Sequence, residues 1–441
     1  MIKAIVNLIL YFLAGVFLSA CGTGQYLGFE KKKIPLKGER VSVLKDITNT
    51  KKDNLSESQV ELDILVELDD WKQSYNSPSH VGLNYLSNSK FNQFTRIVKG
   101  KGQQRDDGKI LAQPIISNNK LFFLDAHGNA FSYDLIKKKL DWRKNIIINK
   151  DKGHNIGGGL AADESYLFIG SPYAEVFCLE LNTGKIIWKK STLTPVRATP
   201  TLVDNKVIIL TLDNRTLVFE KKDGSLIWEH QGIQNTTSII GEPKVAVEGN
   251  LVLAPYSNGD IFALNLTNGV ELWKQSSVNI EQSETSNSFS DIDANPVILK
   301  NIIIIASTSG KVFAINKKNG NLVWEQYLNT TQTPLVNGNS IYLVHNNKEL
   351  INLDLKNGKI RWISEIAKEY SKENNNIWLT PVLINNKLVT VGGNKSLIIS
   401  NPYNGKVEKT INLPGIPSTA PIIVKKKVFL MFKNSAIFSI E

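Results

Sequence analysis

The chain has 441 residues, 42% of them apolar, and its 52 Lys and Arg against 41 Asp and Glu give a formal net charge of +11. That apolar share suffices for the core of a large β-protein, and the positive excess suits acidic surfaces such as anionic lipid or an acidic partner. No basic run is interleaved with stacking aromatics, which argues against nucleic acid. There are two cysteines, Cys21 and Cys178, with no CxxC pair. The five histidines (80, 127, 154, 230, 345) lack metal-ligand spacing, so no metal site is expected.

Residues 1–20 begin with Lys3 and continue as the apolar run IVNLILYFLAGVFLSA (5–20), about the length of a secretory signal core. As a membrane span the run is marginal, and Asn7 interrupts it. Its end, Leu18-Ser19-Ala20-Cys21, resembles the bacterial lipobox. The resemblance implies cleavage before Cys21, a diacylglycerol thioether on its thiol and acylation of the freed amine. Each buried CH₂ contributes ~0.8 kcal/mol, so several acyl chains anchor permanently where one does not. Gly22 follows, not the Asp that retains such lipoproteins in the inner membrane, so the implied address is the periplasmic face of the outer membrane. Residues 21–66 contain the basic EKKKIPLKGER (30–40) and the polar NTKKDNLSESQ (49–59), too little apolar content to order a chain, and are expected to be a lipidated flexible tether.

From residue 67 a phrase recurs. It runs apolar strand, short turn, apolar strand, Gly-containing turn, then a strand with Trp, as in 198–231, 242–275 and 294–326. A period near 40 with four short strands per unit predicts a β-propeller, an all-β fold of four-stranded antiparallel blades. Six blades carry Trp142, Trp188, Trp228, Trp273, Trp324 and Trp362 on the outer strand, and a seventh (379–411) has Lys409 there. Turns such as Asp223-Gly224 and Asn268-Gly269 precede these strands and suit positive φ. Blade 1 departs, with Lys137-Lys138-Lys139 at that point. The repeated indoles read as inter-blade packing. An eighth unit (419–441) stops after three strands, and VELDDWKQ (66–73), with Trp71, is expected to complete it and close the ring.

The Ala-x-Pro opening, Asn/Asp-Gly turn and terminal Trp resemble the pyrroloquinoline-quinone-type propeller superfamily over 67–441. Quinoprotein dehydrogenases of that group hold the quinone against a disulfide of neighbouring cysteines with a bound calcium. No such Cys pair is present here, and NIGGGL (155–160) leads into a strand where phosphate cradling needs a helix N-terminus. No cofactor and no enzymatic activity are expected.

With its lipobox, tether and eight blades, the chain resembles the BamB lipoproteins of the outer-membrane β-barrel assembly machine. SFSDIDANPVI (288–298) is similar to the segment whose two acidic residues, here Asp291 and Asp293, help bind the POTRA region of the barrel-forming subunit BamA. SIIGEP (238–243) is similar to the family's partner loop, with Ile239, Ile240 and Gly241 on its Leu, Arg and Gly. Ile240 replaces the Arg, so an apolar contact is expected, with Arg197 as an alternative source of charge. The resemblance implies a scaffold that binds POTRA domains and other barrel-assembly subunits and holds unfolded outer-membrane proteins. A periplasmic propeller of the same repeat serving another envelope partner is the alternative, with a quinoprotein dehydrogenase ranked behind it.

Overall fold

A computed structural model describes residues 59–102, 112–146, 158–196, 198–233, 243–276, 292, 294–307, 310–346, 348–366, 377–392 and 395–441. Among them the strands form eight antiparallel blades. Blades 1 to 7 span 115–145, 159–191, 201–231, 246–276, 297–326, 335–365 and 382–412. Blade 8 combines three strands within 422–440 with a fourth from near the N-terminus. The three inner strands of each blade are near-continuous apolar runs because both faces are covered by neighbouring blades, as in Val207–Leu210 and Ile303–Ala306. Outermost strands are mostly covered on one side only, the start of blade 6's (Ile360–Trp362) being buried on both. In Leu226–Gln231, Trp228 is buried while Leu226, Ile227 and Glu229 are exposed.

That buried indole joins each blade to the next. Trp142 Nε1 donates to Leu181 O at 3.1 Å, Trp188 to Lys221 O at 2.8 Å and Trp228 to Leu266 O at 2.9 Å. Trp273, Trp324 and Trp362 donate to Lys317, Leu355 and Pro402 O at 3.0–3.1 Å. Each acceptor begins the turn before the next blade's outermost strand, and the glycine of that turn lies against the ring. A Cβ on Gly224, where φ is +68°, would meet Trp188 at 2.8 Å. A left-handed turn and a flat ring pressed on it both require glycine. At the Trp-less blade 7, Lys409 Nζ donates to Lys90 O.

The ring is closed by an N-terminal strand, but not by 66–73. The closing strand is Phe94–Lys99, antiparallel to Ala436–Ile440. Trp71 lies elsewhere. Its backbone N–H and C=O pair with Ile116 on the innermost strand of blade 1, where it is buried. This bridge belongs to a belt that visits every blade in turn. Lys425 N donates to Leu68 O in blade 8, Ala162 N to Lys72 O in blade 2 and Leu202 N to Gln73 Oε1 in blade 3. Val247 N donates to Pro78 O and Ile298 N to Ser79 O, while Gly82 N donates to Val336 O in blade 6. Asn84 and Tyr85 then add a short parallel strand to blade 7. Backbone groups on the channel edge of a propeller otherwise have no strand to pair with, and the belt satisfies one in each blade.

Midway the belt dips into the channel. Tyr75, Asn76 and His80 have φ of 58°, 56° and 60°, which turns the chain sharply enough to insert Tyr75 and His80. His80 Nδ1 lies 2.9 Å from Pro296 O, and its ring meets Tyr75 edge-on. Burial, aided by the nearby Lys244 charge and opposed by the Pro296 carbonyl, pushes the His80 pKa down to about 4.

Two outcomes follow. Gly224→Ala should destabilise the fold by about 1–3 kcal/mol more than Gly249→Ala, which shares the positive φ but has nothing within 4 Å of its Cβ; thermal unfolding of the two variants separates the ring contact from backbone strain. His80 stays neutral in the folded state while the unfolded chain protonates near pH 6.5, so its contribution is intact above that pH and is lost as pH falls towards 4. In His80→Gln the loss of stability between pH 7 and pH 4 should shrink by up to about 3 kcal/mol, read by urea unfolding at both pH values.

Candidate functional site

Strands alternate in direction, so the turns divide between two faces. One face carries the turns between first and second and between third and fourth strands. The other carries the turns between second and third strands and all blade-to-blade connections. The sequence-expected partner residues Arg197, Ile239, Ile240, Gly241, Asp291 and Asp293 fall by sequence between blades, and all six, like the lipidation residue Cys21, lie outside the described residues. What the structure provides is the ground on which those connections stand.

The connection from blade 3 to blade 4 leaves from a tightly packed stem. Gly232 lies so close to Tyr256 that a Cβ would come 2.3 Å from its ring. Tyr256 is fully buried, and its hydroxyl lies 2.7 Å from His230 Nδ1 and 2.9 Å from Thr216 Oγ1. Burial holds the phenol above its usual pKa and the imidazole below its own, so both are neutral groups near pH 7. Asn214, buried and at φ 61°, accepts from both the backbone N–H and the hydroxyl of Ser257 and so fixes the facing turns of blades 3 and 4.

The connection from blade 4 to blade 5 is anchored inside the segment that contains the two aspartates. Ile292, between them in sequence, is fully buried in the cluster that includes Ile298 and Ile303. Asn295 receives Lys244 N on its side chain at 2.7 Å, and its own N–H donates to Thr333 Oγ1. Three successive blades are thereby held in register next to positions 291 and 293.

Beside these stems the second face exposes apolar side chains that the sequence alone does not single out. Leu193 is 79% exposed, Ile233 63% and Leu212 43%. They surround one turn: Leu212 N donates to Pro195 O and Asn214 Nδ2 to Ile233 O. Asp213 in that turn accepts from Thr194 and Thr211 and pairs with Arg215 at 2.9 Å. Burial raises its pKa, but the two hydroxyls and the guanidinium outweigh burial and keep it below the usual carboxylate range. These three exposed apolar side chains stand around one turn that the Asp213–Arg215 pair holds. The pattern was invisible in the sequence because Leu193 and Ile233 sit among polar neighbours without periodicity.

The axial channel is the place where a propeller of the quinoprotein type would hold a cofactor. Here the belt places Trp71, Tyr75, His80 and Tyr85, and the cavity beside them is about 30 Å³, room for a water, which needs ~10–15 Å³. Gly158 and Gly159 of the glycine-rich stretch enter a strand, where a Cβ on Gly159 would strike Thr199 Oγ1 at 2.2 Å. Gly159 thus allows close packing of blades 2 and 3, and Gly158, whose Cβ would meet Gly170 O at 2.3 Å, close packing within blade 2. Among the described residues no cluster of three or more His, Cys, Asp or Glu could hold a metal ion. Cys178 is a buried thiol whose pKa burial pushes up to about 12.

Comparison with known proteins adds four findings. A family model described as "Outer membrane protein assembly factor BamB" matches residues 139–364. BamB of Yersinia pestis is 21% identical over 334 residues, covering 74% of this chain and 83% of the relative. The crystal structure of BamB from Moraxella catarrhalis superposes with a TM-score of 0.66 at 18% identity, covering 79% of this chain and 99% of that one. The quinohemoprotein alcohol dehydrogenase ADHIIG of Pseudomonas putida reaches a TM-score of 0.67 at 11% identity, over 85% and 80% of the two chains, so backbone likeness extends to enzymes and shows the fold alone. The family model spans more than half of the chain across blades 1 to 6, and on that ground the chain belongs to the BamB family of outer membrane protein assembly factors.

Proposed function

We propose that the chain is a non-enzymatic scaffold of the outer-membrane β-barrel assembly machine, one that docks a POTRA domain of a BamA-like subunit through the second face of blades 2 to 5. The observation that carries this reading is the exposed Leu193–Leu212–Ile233 cluster beside the two connections in which the family resemblance places partner contacts. Apolar anchors supply affinity there, while Asp291 and Asp293 supply charge and register. Ile240, in place of the family's Arg, fits an interface more apolar at this point than its relatives'. The aromatic side chains that the belt carries to the axis support a binding role over quinone chemistry.

In this reading residues 1–20 are a lipoprotein signal peptide, Cys21 is lipidated, and residues 21–66 tether the propeller to the periplasmic face of the outer membrane. The described end of that tether is moored on blade 6. Asn339 accepts from Glu61 N and donates to Gln59 O, and Asp63 N donates to Asn337 Oδ1. That hairpin lies on the first face, opposite the proposed docking loops. The scaffold then orients POTRA domains, or keeps unfolded barrel proteins near the site of insertion, without covalent chemistry.

Capture of a purified POTRA fragment should fall about tenfold or more for Asp291→Ala/Asp293→Ala and likewise for Leu193→Asp, as truncation of central interface anchors does; capture equal to the parent protein's in both variants would reject this face as the docking surface. Cys21→Ser should move the protein from the membrane fraction to the soluble periplasm, and retention in the membrane would contradict lipid anchoring.

A further inference from the structure

Six of the eight junctions between blades are sealed by an indole from the outermost strand, and at the junction of blade 7 with blade 8 the exposed Lys409 donates to Lys90 O. The junction of blade 8 with blade 1 is different. In the strand register, each Trp lies opposite the fourth residue of the neighbouring strand, as Trp142 opposes Ser132 and Trp188 opposes Cys178. In blade 8 the residue so placed is Thr95, opposite Ser439. The rest of the indole's seat remains. Phe429, paired with Ser439, occupies the place of Phe122 and Phe168, whose rings lie 6.0 Å from Trp142 and Trp188. Leu135, the counterpart of the acceptor Leu181, stands at the start of the blade 1 turn. Ile116 and Tyr133 complete the walls, and between them is a cavity of about 330 Å³. That is the lower end of the size range of ligand pockets, about 300–1,000 Å³.

The turn has changed together with the strand. Lys138, at φ +53°, stands where the other blades have glycine. Its Cβ keeps any ring from lying as deep as Trp142 does against Gly184, so an occupant sits further out. There the rim is basic: Arg96, Lys138, Lys425 and Lys427 border the cavity, against one acidic side chain, Glu441. None of the four makes an ion pair among the described residues. All eight tryptophans of the chain, Trp71 and Trp378 included, are seated elsewhere, so an indole for this seat comes from another molecule.

We propose that the seam between blades 8 and 1 is a binding site for an aromatic side chain carried on an acidic segment of another protein. The ring takes the seat that Thr95 leaves empty, stacking towards Phe429, and flanking carboxylates meet Arg96, Lys138 and Lys427. The site lies on the rim of the disc, away from the loop face of blades 2 to 5, and its occupancy does not depend on POTRA docking.

The test uses the full chain and two labelled peptides, EDWDE and EDADE, followed by fluorescence anisotropy. EDWDE should bind about tenfold or more tightly than EDADE, the scale of a buried aromatic anchor, and addition of salt should weaken it. Thr95→Trp/Lys138→Gly rebuilds the seal of the other junctions. It should raise the unfolding temperature and abolish the preference for EDWDE. Lys138→Glu/Lys427→Glu, at exposed positions, should weaken binding of EDWDE with unfolding unchanged, so the charge contribution is read even if the rebuilt seam misfolds. Equal affinity for the two peptides, undiminished EDWDE binding in both variants, or binding to anionic phosphatidylglycerol vesicles alone would overturn the proposal.

Discussion

A single hydrogen bond, repeated six times, holds successive blades together: an indole N–H on one blade's outermost strand donating to a backbone carbonyl on the next blade. Each blade is a sheet apolar on both faces and cannot stand alone. The indole supplies area to cover the neighbour and a polar atom to satisfy one of its carbonyls. Because the donor sits on a rigid ring, it also sets the angle between blades. The glycine in the accepting turn completes the pair, since no other residue tolerates both the positive φ and the ring at 2.8 Å.

That pairing explains which parts of the architecture were legible beforehand. Blades 2 to 6 announce themselves through local spacing, because a Trp and the glycine turn before it lie within one period; blade 1 keeps the Trp without the glycine, and blade 7 the glycine without the Trp. The closing strand did not. Phe94–Lys99 has no Trp, since Thr95 occupies the position, and Trp71 carries the expected signature while serving the belt instead. The belt itself has no sequence signal. It is joined mostly through backbone groups, which any residue provides, to partners such as Asn385 that lie 298 positions away from Ser87. At the candidate site, Asp291 and Asp293 were legible only by resemblance, whereas the exposure of Leu193 and Ile233 depends on packing among blades 2 to 4 that no local pattern encodes.

The two faces of the disc have separate tasks. The first takes the mooring of residues 59–63 on blade 6 and the ends of the belt. The second gathers every blade-to-blade connection, hence every place where length and composition vary without disturbing the sheets. Buried polar groups such as Asn214, Asn295 and Tyr256 lock the stems of those connections. Variation in the loops is thereby insulated from the ring.

The belt also constrains how the molecule comes into being. Its residues are synthesised before any blade, yet their partners include Lys426, 339 positions later. During synthesis the belt and the closing strand have nothing complete to join, and the growing array exposes free strand edges, the condition under which β-proteins associate wrongly. Only the last blade lets the belt settle against all eight at once. Tandem-repeat solenoids fray from their ends one unit at a time. Here the belt spans every unit, and its contacts range from Trp71–Ile116, 45 positions apart, to Ser87–Lys426, 339 apart, so the most distant of them weigh on the speed of folding.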